Sequence, residues 1–181
     1  MAVKKVVIIG PESTGKSTLC KELAAHFQTQ WCPEYAREYL TKNGTAYSYD
    51  DLLVIAQNQL LLEDRISAEL NVTSNANKAL FIDTDMYVMK VWCEYVFEKC
   101  HHFILDQISN RQYDLYILCA ADIPWVEDEL REYPDEGPRK ELFQIYKDLL
   151  INQSVPWITV SGNYRERLEA AIVAVEALFN E

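Results

Sequence analysis

The chain has 181 residues, of which 49% are hydrophobic, and a formal net charge of −11 at pH 7. Its length and apolar content predict one globular domain over residues 1–181 and exclude a disordered chain. The acidic balance argues against nucleic acid and anionic membranes as partners, because phosphate-rich surfaces attract basic protein surface.

The cysteines and the apolar segments bear on where the protein works. Five cysteines form no C-x-x-C pair, which is typical of reduced thiols in a cytoplasmic protein. The apolar run Val6–Ile9 is too short for a signal peptide or a membrane span, so we expect neither. A homo-oligomer is compatible with the sequence, but no feature of the sequence predicts one.

The predicted strand Val3–Gly10 leads directly into a P-loop motif. Residues Gly10-Pro11-Glu12-Ser13-Thr14-Gly15-Lys16-Ser17 match the pattern G-x-x-x-x-G-K-[ST], and a helix is predicted over Thr18–Phe27. Backbone N–H groups of such a loop and the positive end of the helix can surround a triphosphate. Lys16 would contact the phosphates and the Ser17 hydroxyl would bind Mg²⁺. The motif therefore predicts a nucleoside triphosphate with Mg²⁺, bound by Gly10, Glu12, Ser13, Thr14, Gly15, Lys16, Ser17 and Thr18.

A short second strand is predicted to end near Trp31-Cys32-Pro33, and polar residues follow it. Ligands of an open α/β sheet bind at the carboxyl ends of the strands, so this segment is a candidate acceptor site. We predict that Glu34 binds an acceptor hydroxyl, that Arg37 holds an acceptor anion and that Tyr35 offers a flat face to a ring. The alternative is the start of a helix in which acidic residues favour the helix dipole.

A helical stretch is predicted over Asp50–Asn71, and the apolar strand Ala79–Asp83 then ends in a carboxylate. P-loop proteins often place such a carboxylate where it can hold Mg²⁺ through water. We predict Asp83 at the metal. Asp85, two residues later, would orient the acceptor hydroxyl or cap the helix that starts at Met86.

The rest of the chain continues the alternation of helices and strands. The predicted elements are helices at 86–100 and 103–111, a strand at 115–119, an irregular segment at 124–138, a helix at 141–151, a strand at 157–160 and a helix at 165–179. We predict a mobile lid at about 122–139, in which Arg131 and Arg139 neutralise charge on the transferring phosphoryl group. Trp125 would cover a ring or simply pack. The alternative for the lid is a solvated acidic surface.

These elements predict an α/β, three-layer P-loop kinase fold with a mostly parallel five-stranded sheet, helices on both faces and a lid segment. No D-x-x-G follows the strand that ends at Asp83 and no N-K-x-D occurs downstream, which argues against a GTPase. No L-S-G-G-Q stretch occurs, which argues against a transport ATPase. A small-molecule kinase remains, with a regulatory ATP-binding module as the alternative.

Four strings in this order resemble the ribosylnicotinamide kinase domain of the NadR family: Gly-Pro-Glu-Ser-Thr-Gly-Lys-Ser-Thr at 10–18, Glu-Tyr-Ala-Arg-Glu-Tyr at 34–39, Asp-Thr-Asp at 83–85 and Asp-Ile-Pro-Trp-Val at 122–126. The resemblance implies ATP-dependent phosphorylation of the 5′-hydroxyl of nicotinamide riboside. The alternative acceptor is another nucleoside or nucleotide. Glu129 departs from the pattern, which leads us to expect glycine there. The sequence lacks the H-x-G-H signature, so we expect a kinase without adenylyltransferase or DNA-binding activity.

Overall fold

The computed structural model describes residues 3–72, 78–130 and 135–180. Within these ranges the chain alternates between strands and helices in the order β1 (Lys4–Ile9), α1 (Lys16–His26), β2 (Gln30–Cys32), α2 (Tyr35–Asn43), α3 (Tyr49–Asn71), β3 (Ala79–Asp83), α4 (Met86–Phe97), α5 (His102–Asn110), β4 (Leu115–Cys119), α6 (Glu136–Ile151), β5 (Trp157–Val160) and α7 (Tyr164–Ala177).

The strands form a five-stranded sheet in the order β2-β3-β1-β4-β5, and all its pairings are parallel. The predicted α/β fold is confirmed, and the sheet is wholly parallel where the sequence predicted a mostly parallel one. Residues of β1, β3 and β4 are buried on both faces, which explains the continuous apolar runs in these strands. The P-loop strand β1 is central, so its carboxyl end lies beside those of β3 and β4.

The two faces of the sheet bury alternate residues of β1. Val6 and Ile8 pack with α1 and α7, whereas Val7 and Ile9 pack with α3, α4 and α6. This alternation follows from the two-residue period of a strand. A third cluster, beside the sheet, is formed by residues of the four helices α2, α3, α4 and α5. Helices therefore cover both faces, and the carboxyl ends of the strands are left as the place for a site.

Two helices differ by three residues or more at one end from the sequence predictions, and the other predicted helices agree to within two residues. Helix α6 begins at Glu136, five residues before the predicted start at Glu141, and it includes Pro138 in its first turn. Proline is tolerated there because the first N–H groups of a helix lack partners within the helix. Helix α4 ends at Phe97 rather than at residue 100, because Glu98 adopts a left-handed conformation with φ 56°.

Within the described ranges, none of the helices combines the length and the apolar content that crossing a membrane requires. The same ranges contain no cluster of three or more His, Cys, Asp or Glu side chains that could hold a metal ion by themselves. The consecutive residues Cys100, His101 and His102, which carry metal-binding side-chain types, are therefore not part of such a cluster. His101 instead stacks on Tyr49, with ring centroids 3.7 Å apart.

Candidate nucleotide and acceptor site

A cavity of about 250 Å³ opens at the carboxyl ends of the strands. One side of it is the whole P-loop, and Glu34 and Arg37 belong to its lining as well. The remaining lining is mainly apolar or aromatic and includes Leu40, Val88, Val91, Trp92, Tyr95, Leu142, Tyr146 and Tyr164. The fold thus joins a phosphate-binding loop and the predicted acceptor segment in one cavity.

Two glycines of the P-loop occupy positions that a side chain would obstruct. Gly10 has a φ of +144°, and a Cβ there would lie 2.7 Å from the carbonyl oxygen of Cys119. Gly15 has a φ of +80° at the N-cap of α1, and a Cβ there would lie 2.9 Å from a ring carbon of Tyr164. Both backbones therefore need the freedom of glycine.

Polar contacts hold the P-loop in its curved shape. The Thr14 hydroxyl and the Lys16 ammonium both donate to the carbonyl oxygen of Pro11, each at 2.8 Å. Helix α1 starts at Lys16, so the N–H groups of its first turn have no partners within the helix. These donors and Lys16 give the loop the positive character that a polyphosphate requires.

Arg167, on α7, is a contributor that sequence reasoning missed. Its side chain is buried, and its guanidinium donates to the carbonyl oxygens of Thr14, Ala120 and Gly162 and to the Asp122 carboxylate. These contacts join the P-loop to the segments that follow β4 and β5. The signal was a charged residue on the buried stripe of a helix, since Ala171 and Val175 follow it at intervals of four residues and are also buried.

Ser17 and Asp83, the two residues predicted to hold Mg²⁺, are hydrogen-bonded to each other at the cavity. The Ser17 hydroxyl donates to Asp83 Oδ2 at 2.5 Å. Asp83 is 1% exposed, and its Oδ1 has no hydrogen-bond partner among the described residues. Burial raises the pKa of the Asp83 carboxyl, although the nearby Lys16 opposes the rise. A buried carboxylate oxygen without a partner, beside a hydroxyl, fits the oxygen donors that Mg²⁺ prefers.

Glu34 occupies the N-cap position of α2 at the edge of the cavity. Its side chain makes no capping hydrogen bond within the described residues, and Thr84 donates to its Oε1 at 3.4 Å. Loss of water around it raises the pKa of the Glu34 carboxyl, and the charge of Asp83 raises it further, against Lys16 and Arg37. Glu34 is therefore a carboxylate with raised basicity that faces the phosphate-binding loop.

The backbone between the two aspartates is strained. Thr84 has a φ of +78°, a region that β-branched residues rarely adopt. The residue lies between the buried carboxylates Asp83 and Asp85, and its hydroxyl points to Glu34. Strain of this kind persists where the surrounding structure fixes it and is common at functional sites.

Asp85 does not reach the cavity, and the capping alternative describes its position. Its Oδ1 accepts from the backbone N–H groups of Tyr87 and Val88, at 3.0 and 3.3 Å. Its Oδ2 accepts from the Tyr116 hydroxyl at 2.9 Å. Asp85 is 1% exposed and is not among the described residues that line the cavity. The expectation that it contacts the acceptor therefore has no support in this geometry, because both oxygens are engaged inside the fold.

Two aromatic residues predicted to meet a ring lie elsewhere. Trp125 donates through its indole N–H to Glu12 of the P-loop at 3.2 Å. Tyr35 packs with Tyr39 at the edge of the third core cluster. Neither belongs to the cavity lining within the described ranges. Sequence adjacency to the motif did not reveal which way these rings face.

The predicted lid arginines have different outcomes. Arg131 lies outside the described residues. Arg139 is in the first turns of α6, is 4% exposed and donates to the carbonyl oxygens of Ser13 and Ile123, each at 3.2 Å. Arg139 therefore ties the segment after β4 to the backbone of the P-loop.

The segment 122–130 contributes Val126 and Leu130 to the cavity lining and contacts the P-loop directly. The Val126 N–H donates to the Ser13 hydroxyl at 2.9 Å. Across the cavity, Arg37 forms an ion pair with Asp128 at 3.1 Å. Arg37 was expected to hold an acceptor anion, and in this structure its partner is a carboxylate of the predicted lid.

Sequence reasoning also missed the aromatic wall of the cavity, formed by Trp92, Tyr95 and Tyr146. Trp92 and Tyr95 follow Val88 and Val91 on α4 at helical spacing, a pattern that a sequence reader assigns to the core. The Trp92 indole N–H donates to the Tyr47 hydroxyl at 2.8 Å, which fixes the ring. The sequence shows these residues as one stripe of a helix. Whether the stripe faces the core or the cavity depends on how the helices pack.

The parallel sheet, the central glycine loop and the carboxylates at neighbouring strand ends define a P-loop protein with the fold of a small kinase. A sequence model described as the AAA domain matches residues 5–167. The chain therefore belongs to the AAA domain family.

The predicted resemblance to the NadR family is confirmed by curated relatives. The chain is 31% identical over 184 residues to the trifunctional NAD biosynthesis/regulator protein NadR of Escherichia coli strain K12. It is 30% identical to the NadR protein of Salmonella typhimurium strain LT2. Each alignment covers 99% of this chain and 43% of the relative, so the chain spans less than half the length of these relatives.

Solved structures agree with the fold. A crystal structure of NadR protein in complex with NR has a TM-score of 0.80 at 25% identity, over 99% of this chain and 50% of that chain. A NadR structure with NAD and AMP-PNP has a TM-score of 0.74 at 23% identity, with the same coverage. Thymidylate kinase from Ehrlichia chaffeensis has a TM-score of 0.61 at 12% identity, over 96% of this chain and all of that chain.

Proposed function

We propose that this protein is an ATP-dependent kinase that phosphorylates the 5′-hydroxyl of nicotinamide riboside and so forms nicotinamide mononucleotide. The observation that carries the proposal is a cavity that combines the P-loop, the acceptor-side carboxylate Glu34 and an aromatic wall. The similarity to NadR proteins, one of them in complex with NR, supports this acceptor.

In this proposal the P-loop and Lys16 bind the phosphates of ATP. The first-turn N–H groups of α1 and the Lys16 ammonium would stabilise the charge that spreads over the transferring phosphoryl group. Ser17 and Asp83 would hold Mg²⁺, which when bound neutralises charge on the phosphates. Positioning and charge stabilisation account for most of the acceleration in reactions of this class.

Glu34 would receive the hydrogen bond of the 5′-hydroxyl and orient it toward the phosphorus. Its raised pKa makes it a better proton acceptor than an ordinary glutamate, and it lines the same cavity as the P-loop. Asp85 was the alternative for this role, and its engaged oxygens favour Glu34.

The aromatic wall would take the base of the acceptor. Nicotinamide riboside carries a positively charged pyridinium ring, and aromatic faces attract cations by about 0.5–2 kcal/mol. Trp92, Tyr95 and Tyr146 offer such faces in an apolar surround that includes Val88 and Leu142. A neutral base would gain stacking but not this electrostatic attraction, so the wall favours the charged ring.

A transfer assay with labelled ATP tests the proposal. The acceptors are nicotinamide riboside, adenosine and thymidine, each compared with a reaction without acceptor. We expect labelled nicotinamide mononucleotide as the main product. Preferred transfer to adenosine or thymidine would show that nicotinamide riboside is not the acceptor. ATP hydrolysis that is equal with and without acceptor would favour a regulatory ATP-binding module instead.

Two variants with a matched control assign the roles. We expect Lys16→Ala to lower the turnover number by several orders of magnitude, because one charge is lost from the phosphate site. We expect Glu34→Gln to lower the turnover number far more than the affinity for ATP. Glu38→Gln is the control, since Glu38 is exposed on the same helix. Normal turnover in Lys16→Ala would show that the phosphate site is wrongly assigned.

A further inference from the structure

The side-chain amide of Gln59 fixes the backbone on both sides of Glu34. Gln59 lies on α3 and is 1% exposed. Its Oε1 accepts from the Tyr35 N–H at 2.7 Å, and its Nε2 donates to the carbonyl oxygen of Pro33 at 3.2 Å. Pro33 and Tyr35 are the residues before and after Glu34, so a single buried group holds both.

The same amide reaches the strand end that carries Asp83. Its Nε2 lies 3.5 Å from the carbonyl oxygen of Asp83 and 3.4 Å from the Cys32 sulfur. Strands β2 and β3 are neighbours, so Gln59 joins the ends of the two strands that supply Glu34 and Asp83. These contacts need a donor and an acceptor on one side chain, which an amide provides and an alkyl group or a carboxylate does not.

The Glu34 side chain does not cap the helix that it precedes. A residue at the N-cap usually turns its side chain back to accept a helix N–H. Glu34 makes no such bond within the described residues, and the first N–H of α2, that of Tyr35, is bonded by Gln59. One orphan N–H of the helix start is therefore bonded without Glu34, whose carboxylate faces Thr84 and the cavity.

We propose that Gln59 is a positioning residue for phosphoryl transfer, which holds Glu34 at a fixed place relative to Asp83. The inference rests on the proposed function. A displacement of about 1 Å at a reacting group can cost roughly 100-fold in rate. We therefore expect Gln59→Met to lower kcat roughly 10- to 100-fold and to leave the KM for ATP within about twofold, because Gln59 is not among the described residues that line the cavity.

The test compares Gln59→Met with Gln57→Met, which changes an exposed residue of the same helix. For each we would measure kcat, both KM values with ATP and nicotinamide riboside, and the unfolding midpoint. The decisive measurement repeats Gln59→Met in the Glu34→Gln background. If Gln59 acts through Glu34, the second change should lower kcat by less than about twofold there, whereas a general loss of structure would lower it equally in both backgrounds.

Gln59→Glu gives a second readout, which also serves if Gln59→Met fails to fold. A glutamate carboxylate keeps an acceptor for the Tyr35 N–H but cannot donate to the carbonyl oxygen of Pro33, so kcat should fall in this variant, again by less than about twofold in the Glu34→Gln background. Wild-type kcat in Gln59→Met, or equal effects in both Glu34 backgrounds, would overturn the inference alone. A wild-type protein that does not phosphorylate nicotinamide riboside would overturn the proposed function and the inference with it.

Discussion

Asp85→Asn tests the assignment of Asp85 to the fold rather than to the reaction. Asparagine is an equally good N-cap residue, so the bonds from the backbone N–H groups of Tyr87 and Val88 can persist. Burial raises the pKa of Asp85 from an ordinary 3.8 to about 7, against the hydrogen bond from Tyr116. The substitution therefore removes a buried titrating group and keeps the shape of the helix start.

The sign of the effect follows from the raised pKa. A carboxyl whose pKa is higher in the folded state stabilises the protein fully below its unfolded pKa and loses that contribution as the pH rises through the folded pKa. For Asp85 the loss runs from about pH 4 to about pH 7 and reaches about 4 kcal/mol, since each pKa unit corresponds to about 1.4 kcal/mol. Between about pH 5.5 and about pH 8, Asp85→Asn should gain about 2 kcal/mol in free energy of unfolding relative to the wild type.

Urea unfolding of both proteins across this pH range measures the difference. A constant offset between them is expected from the altered bond to Tyr116, so the pH-dependent part is the measurement that counts. A difference that does not change with pH would refute the raised pKa. The same variant should keep kcat for nicotinamide riboside within about threefold, and a well-folded variant without activity would return Asp85 to the reaction.

Three further predictions follow from contacts around the site. Gly10→Ala should lower the free energy of unfolding, measured in urea, by about 3 kcal/mol, because its Cβ would lie 2.7 Å from the carbonyl oxygen of Cys119. A loss below about 1 kcal/mol would show that this clash does not strain the fold. Thr84→Gly should raise the free energy of unfolding by about 1 kcal/mol, because it relieves a φ of +78°. It should also lower kcat roughly tenfold, because it removes the hydroxyl. If stability and kcat both rose or both fell, this prediction would be wrong. Asp128→Asn should change the free energy of unfolding by less than about 1 kcal/mol, because its partner Arg37 is half exposed. The KM for nicotinamide riboside should rise. An unchanged KM would show that this ion pair does not shape the cavity.

Much of the fold could be predicted because local patterns specified it. The strands Ala79–Asp83, Leu115–Cys119 and Trp157–Val160 agree with the sequence prediction to the residue. The first two are largely apolar and fully buried in the parallel sheet, whereas Trp157–Val160 is a partly exposed edge strand. Helix ends were predicted less well. Helix α6 begins at Glu136, before the predicted start, because Pro138 is tolerated in the first turn of a helix.

Polar residues on buried stripes were the signal that sequence reasoning passed over. Gln59 and Glu63 fall among the apolar positions of α3, and Arg167 precedes Ala171 and Val175 on α7. Burying such groups is unfavourable unless they find partners, so their positions indicate contacts with distant parts of the chain. Which parts these are cannot be derived from helical spacing, because the partners come from other strands and loops.

The sequence by itself determined the phosphate half of the site. The spacing from Gly10 to Ser17 and the strand that ends at Asp83 require only local geometry and a parallel sheet, which bring Ser17 and Asp83 within hydrogen-bonding distance. Glu34 and Arg37 could also be predicted near this site, but tertiary structure alone decided which aromatic rings line the cavity. It left Trp125 and Tyr35 out of the described cavity lining and placed the aromatic wall of α4 and α6 there, because the direction of a side chain depends on the neighbours that pack against it.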